Sequence, residues 1–166
     1  QYSATEGYVP LRKYISERYK KRFDLDIPYE QILITNGSQQ ALDLLARVLI
    51  DNGDDVIVEY PSYLGALQSM SFYLPTFHEV RLLEDGVDLA MLEEMLKNHT
   101  PKFFYTVPNF QNPTGLTYTK ENRIEVARLI EKYECLLIED DPYSELRFYG
   151  EEVLPIKSYL GERGIL

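Results

Sequence analysis

Four short stretches of this chain concentrate the residue types that bind and activate small molecules: Asn36-Gly37-Ser38-Gln39, Tyr60-Pro61-Ser62-Tyr63, "PNFQNPTG" at 108–115, and Asp140-Asp141-Pro142-Tyr143. Gly37, Ser38 and Gln39 at a helix start offer backbone amides, a hydroxyl and a side-chain amide. That set suits a phosphate, although Ser in such a place is more often simply a cap. Tyr63 can present a flat face to a planar ring or pack against its own domain. Asn112 can donate to an oxygen or brace its own turn. Asp140 ends the apolar run "LLIE", where a carboxylate is costly unless paired, so it predicts a cation nearby or else caps the next segment. Tyr143, three residues on, can turn its hydroxyl toward the same place.

These stretches matter together only if the fold brings them together, and the periodicity says how. A helix is predicted over "VPLRKYISERYKKRF", with Pro10 in its first turn and Leu11, Tyr14, Ile15 and Tyr19 at helical spacing. A strand is predicted at "QILIT", then a helix over "SQQALDLLARVLI" with Ala41, Leu42, Leu45, Val48 and Leu49 as its apolar stripe. "VIVE", "FHEVRL", "KFFYTV" and "LLIED" read as strands, and the final "IL" as the start of one more. Between them lie helices at "YLGALQSMSF", at "DGVDLAMLEEMLKN" with Asp88 as N-cap, and at "TKENRIEVARLIEKY" with Thr119 as N-cap. Strands that are apolar on both faces and alternate with helices belong to a three-layer α/β/α fold with a mainly parallel sheet. In such a sheet ligands sit beyond the carboxyl ends of the strands, and all four polar stretches follow a predicted strand. A phosphate, a planar ring, a ring cation and a ring oxygen then describe one ligand, pyridoxal 5'-phosphate.

On "NGSQQALDLL", "EYPSYLGALQ", "YTVPNFQNPTG" and "IEDDPY", the chain resembles the class I and II aminotransferases of the fold-type I pyridoxal-phosphate family. It is most similar to the branch with 2-aminoadipate and kynurenine aminotransferases and the aminotransferase-like half of certain bacterial transcription regulators. The resemblance implies that Gly37, Ser38 and Gln39 hold the cofactor phosphate and that Tyr63 stacks on the ring. It implies that Asn112 and Tyr143 bond to the ring oxygen and that Asp140, rather than Asp141, pairs with the protonated ring nitrogen, making Asp140 and Tyr63 the catalytic candidates. Tyr2, in "QYSATEG", resembles the tyrosine that reaches the phosphate in a neighbouring subunit. The rigid "NPTG" turn would hold Asn112 so that one amide meets one ring oxygen. No lysine of the chain has the Ser-rich context of the family's Schiff-base lysine, and Lys157 in "LPIKSYL" reads as a surface residue.

The resemblance therefore implies that residues 1–166 form part of a large cofactor-binding domain, without the N-terminal arm, the lysine segment or the small domain, and that the piece alone is inactive. The full-length parent would be a homodimer that transfers an amino group between an amino acid and a 2-oxo acid. The alternative is the effector domain of a GntR/MocR-type regulator that binds the same cofactor.

Composition narrows the field further. A formal net charge of -10 argues against a nucleic-acid surface, and the basic run "RYKKRF" reads as a solvated helix end. The single cysteine, Cys135, sits beside an apolar run and reads as a small buried side chain in a reducing compartment. His78 and His99 stand apart in sequence without ligand spacing, so no metal site is expected from them. No signal peptide or membrane span is discernible, and a cytoplasmic location is expected.

Overall fold

Val56 and Val58 turn to one side of their strand and Ile57 to the other, and this period of two divides the interior into two apolar layers. The computed structural model describes residues 4–166. The chain runs α1 (Val9–Phe23), α2 (Ser38–Leu49), β1 (Asp55–Tyr60), α3 (Leu64–Ser71), β2 (Thr76–Leu83), β3 (Gly86–Val87), α4 (Leu89–Asn98), β4 (Phe103–Thr106), α5 (Lys120–Lys132), β5 (Leu136–Glu139) and β6 (Gly164–Ile165). The strands form one sheet in the order β3-β2-β1-β4-β5-β6, parallel throughout except for the antiparallel β2–β3 pair.

On one face, Leu42 and Ala46 of α2 and Ala66 and Met70 of α3 pack on Val56, Val58, Phe103, Tyr105 and Ile138. On the other, Leu92 and Leu96 of α4 and Val126, Leu129 and Ile130 of α5 cover Ile57, Phe104 and Leu137. The predicted three-layer α/β/α fold is therefore present. Asp88 caps α4 by accepting from Ala90 N and Met91 N, and Thr119 caps α5 by accepting from Asn122 N. The terminal "IL" does open a strand, β6, beside β5. Cys135 is buried, which pushes its thiol up to about 12. Among the described residues no helix is long and apolar enough to cross a membrane.

Five expectations need correction. "QILIT" is not a strand of the sheet: a 3₁₀ turn occupies Tyr29–Gln31, and Ile34 N makes a backbone bond to Glu6 O (3.0 Å) outside any ladder. Apolar alternation creates an extended segment, but only a neighbour with free backbone groups makes it a strand. The stripe of α1 also fails, because Leu11 and Tyr14 are exposed while Arg12 is buried, donating to Tyr29 O (3.1 Å) and Glu30 O (3.2 Å). In α2, Val48 is 80% exposed; it falls on the flank of the stripe that α3 and the sheet do not reach. Finally, the basic end of α1 is not merely solvated. Arg18 and Arg22 pair with Glu145, and Arg22 also pairs with Glu152, so α1 grips the segment after β5. Lys157 is likewise half-buried rather than a free surface residue, donating through Nζ to Gly161 O (3.0 Å).

Candidate functional site

From β1 the chain crosses to β2 on one side, whereas β4, β5 and β6 fill the other side of β1. Such a reversal opens a crevice beyond the carboxyl ends of the two central strands, where no crossover covers it. Pro61, Ser62 and Tyr63 follow β1, the stretch 107–118 follows β4, and Asp140 follows β5. Three of the four polar clusters thus lie at this edge. The fourth is fastened to it by Gln39, whose Nε2 donates to Gly65 O (3.0 Å) and Ser69 Oγ (2.6 Å) and so ties the start of α2 to α3.

Among the described residues no side chain caps α2, and no acidic residue stands in its first turn. Gly37 precedes it at φ 80, a backbone conformation that side chains resist, and a Cβ there would meet nothing within 4 Å. Ser38 opens the helix and is exposed. The positive end of α2 is therefore exposed, with first-turn N–H groups that no side chain of the described residues caps. In the turn after β1, Ser62 Oγ is buried with no hydrogen-bond partner among the described residues.

Tyr63 stands at the N-cap position of α3 without using its side chain as a cap. Its ring folds back over Gly65, so closely that a Cβ on residue 65 would lie 2.6 Å from Tyr63 Cζ and 2.8 Å from Gln39 Oε1. Glycine inside a helix costs stability, and here the close ring approach requires it. Tyr63 and Tyr143 both pack on the layer that holds Val58, Tyr105 and Ile138, which places them on the same face of the sheet.

Asp140 is half-buried just past β5, and its Oδ2 accepts from Tyr105 Oη at 2.8 Å. Loss of solvent raises its pKa, the Tyr105 hydrogen bond lowers it, and the Asp141 charge raises it again; the net direction is up. Among the described residues no cation pairs with it, although its position at a buried strand end predicts one. Burial and the Asp140 charge in turn push the Tyr105 phenol far up, with Glu59 and Tyr63 adding to the effect. The neighbouring Asp141 is already engaged, accepting from Asn109 Nδ2 (2.9 Å) and Ser144 N (3.2 Å). Of the two adjacent carboxylates, Asp140 is the one left with a single neutral donor.

"PNFQNPTG" is organised by residues that the sequence reading passed over. Glu59, the buried penultimate residue of β1, accepts through Oε1 from Thr106 Oγ1 (2.6 Å), Tyr118 Oη (2.6 Å) and Val107 N (3.0 Å), and through Oε2 from Gln111 Nε2 (2.9 Å). Gln111 also donates to Pro61 O (2.8 Å), and its Oε1 accepts from Thr114 N (3.0 Å) and Thr114 Oγ1 (2.7 Å). The loop after β4 is thereby bolted to the turn after β1, and Asn112 is left exposed at its apex, joined to Pro113 by a cis peptide bond. Behind it, the fully buried Arg123 donates to Pro108 O (3.0 Å), Asn109 Oδ1 (2.7 Å) and Tyr118 O (3.1 Å). The signal that could have found Glu59 was a charged residue inside an otherwise β-branched strand. Tyr2 lies outside the described residues.

The chain matches the family model described as aminotransferase class I and II over residues 1–161. It is 43% identical over 155 residues to the 2-aminoadipate transaminase of Thermus thermophilus, covering 93% of this chain and 37% of the relative. The crystal structure of the Pyrococcus horikoshii kynurenine aminotransferase, solved in complex with PMP, matches with a TM-score of 0.91 and 41% identity, covering 99% of this chain and 42% of that one. The HTH-type transcriptional regulator YdcR of Escherichia coli is 36% identical over 161 residues, 96% of this chain and 34% of its own length. The chain thus spans about two fifths or less of these relatives. A match over nearly the whole chain, together with a sheet whose carboxyl edge gathers the same polar clusters, settles the kinship: this chain belongs to the class I and II aminotransferase family.

Proposed function

We propose that residues 1–166 are the cofactor-binding part of a large domain whose parent, a homodimer, uses pyridoxal 5'-phosphate to move an amino group between an amino acid and a 2-oxo acid. The observation that carries this is Asp140, a half-buried carboxylate at the crevice with one neutral donor and, among the described residues, no cation. The ring nitrogen of that cofactor is the missing positive charge. Ser62 Oγ and the uncapped start of α2 are the matching orphan donors, and they fit a phosphate.

The cofactor, when bound, supplies an electron sink for the charge left when the substrate α-proton departs. The chain's own residues make that sink usable. Asp140 would hold a proton on the ring nitrogen, and Tyr63 would pack against the ring face. Asn112 and Tyr143 would bond to the ring oxygen, while Gly37, Ser38 and Gln39 would secure the phosphate. Tyr2 would reach the phosphate in the partner subunit. Rigidity of the Asn112 loop, secured by Glu59 and Gln111, limits drift of the ring.

A second reading, a cofactor-sensing half of a transcription regulator, rests on the likeness to YdcR across 96% of the chain. One experiment separates the two. The full-length protein is saturated with pyridoxal phosphate, its visible absorption is recorded, and a panel of amino acids is added with 2-oxoglutarate. A visible band that changes on donor addition, with steady 2-oxo acid production, is the expected result. A band without turnover selects the regulator, and no band removes both readings.

Gly65 gives an independent check. Gly65→Ala should strengthen α3 locally yet displace Tyr63 and Gln39, lowering cofactor affinity about tenfold or more, roughly 1.4 kcal/mol, by fluorescence titration. Unchanged affinity would mean that neither side chain holds the cofactor.

A further inference from the structure

His78 and His99, far apart in sequence, meet in space. Their rings lie face to face with centroids 3.7 Å apart and planes tilted by 32°. The parallel register sets His78 of β2 opposite Ile57, two residues past Asp55 on β1, so the side chains of Asp55 and His78 reach the same rim of the sheet. His99, the C-cap of α4, closes the group from the helix layer. His78 Nε2 is 2.7 Å from Asp55 Oδ1 and His99 Nδ1 is 4.0 Å from Asp55 Oδ2. One ligand atom from each residue falls within 4.8 Å of the other two. All three residues are partly buried, with side chains between 14% and 33% exposed, so they are held by the fold yet open to solvent ions. The expectation that the two histidines stand apart is corrected here: the end of α4 folds back onto β2, so distance along the chain does not separate them.

We propose that Asp55, His78 and His99 form a site for a divalent transition cation, Zn²⁺ by preference. Two imidazole nitrogens and one carboxylate oxygen are a borderline ligand set that suits zinc and discriminates against Mg²⁺ and Ca²⁺, which take oxygen ligands. Around zinc, ligand atoms at about 2.0–2.1 Å in a tetrahedral arrangement stand roughly 3.3 Å apart. The 2.7 Å between His78 Nε2 and Asp55 Oδ1 therefore opens by several tenths of an ångström, and His99, with Nδ1 4.0 Å from the other carboxylate oxygen and its ring stacked on His78, turns its ring to bring Nδ1 to the same ion. Both are side-chain movements. A fourth position is left for water. The carbonyl end of α4, which His99 terminates, also favours positive charge. The site sits at the amino end of β1, and six residues of strand, about 17 Å at the usual rise, separate it from the turn carrying Tyr63. It is thus distinct from the crevice, and its role would be to lock α4 onto β1 and β2.

The test uses the full-length protein, stripped of metal with a chelator and titrated with Zn²⁺ against a chromophoric competitor, with pyridoxal phosphate present and absent. One equivalent per chain is expected, independent of the cofactor, with Mg²⁺ failing to compete at equal concentration. His78→Gln with His99→Gln should weaken binding by at least about a hundredfold, and His99→Gln alone by at least about tenfold. His99 lies at a helix end, so its variant should melt, metal-free, close to the parent; zinc should raise the melting temperature of the parent and not of the double variant. No stoichiometric zinc binding by the parent, equal competition by Mg²⁺, or binding that survives the double substitution would overturn the site.

Discussion

Asp140→Ala in the full-length protein is expected to lower kcat/KM for transamination by about a thousandfold, on the order of 4 kcal/mol. The size of the loss follows from the ionisation of that carboxyl. Partial burial disfavours its charge, and among the described residues the one group offered to it is the Tyr105 hydroxyl at 2.8 Å. A carboxylate in that setting gains most from a cation brought by the ligand, and a ligand cation that loses a buried counter-charge costs about 3–5 kcal/mol. Asp140→Asn keeps the shape and the contact with Tyr105 but not the charge. It should lose nearly as much rate while retaining more cofactor affinity, a split that a merely structural residue would not produce. Activity of Asp140→Ala within tenfold of the parent would sink the proposed role.

Glu59→Ala should remove about 3–5 kcal/mol of folding stability, measured as a lower denaturant midpoint with an unchanged slope. Four donors converge on this one carboxylate, from Thr106, Val107, Gln111 and Tyr118. Burial raises its pKa, and the hydrogen bonds from Thr106, Tyr118, Gln111 and Val107 oppose that rise. Truncation leaves all four donors unsatisfied in a dry interior, and each carries its own desolvation cost. Because every partner donates, Glu59→Gln is not a gentle change: one of its two acceptors becomes an NH₂ facing another donor. Gln should therefore fall between Glu and Ala. A loss below about 1 kcal/mol for Glu59→Ala would mean that water replaces the carboxylate at no cost.

Much of the fold could be read from residue order because local and global preferences agree in it. "VIVE", "KFFYTV" and "LLIE" have apolar residues on both faces, and each became a central strand buried by helices on both sides. Asp88 and Thr119 announced their helices, since a cap is a contact of two or three residues' range. What escaped depends on contacts between distant parts. "QILIT" has the right pattern for a strand, but the described sheet gives it no partner. Arg12 is buried against the backbone of a turn some seventeen residues later, which no helical periodicity encodes. Glu59 as a hub and the meeting of His78 with His99 both depend on strand order, which pattern alone leaves open. The three polar clusters after β1, β4 and β5 were legible for a simpler reason: in a parallel sheet every strand ends at the same edge, so position after a strand already fixes a side of the molecule, whereas 36–39 follows no strand and is placed by Gln39.

The ion pairs between α1 and the segment after β5 tie residues more than a hundred positions apart: Arg22 to Glu145 and Glu152. That segment begins beside Tyr143 and has few apolar anchors of its own, with Leu146, Phe148 and Tyr149 all exposed. During synthesis α1, which Arg12 already holds to the turn at Tyr29 and Glu30, must therefore wait for its ionic partners until β5 has been made. Only then can the stretch holding Tyr143 be drawn into place. Maturation of the crevice is thus a late event in the life of the polypeptide, and it is sensitive to ionic strength, because the clasp that completes it is made of solvent-facing charges.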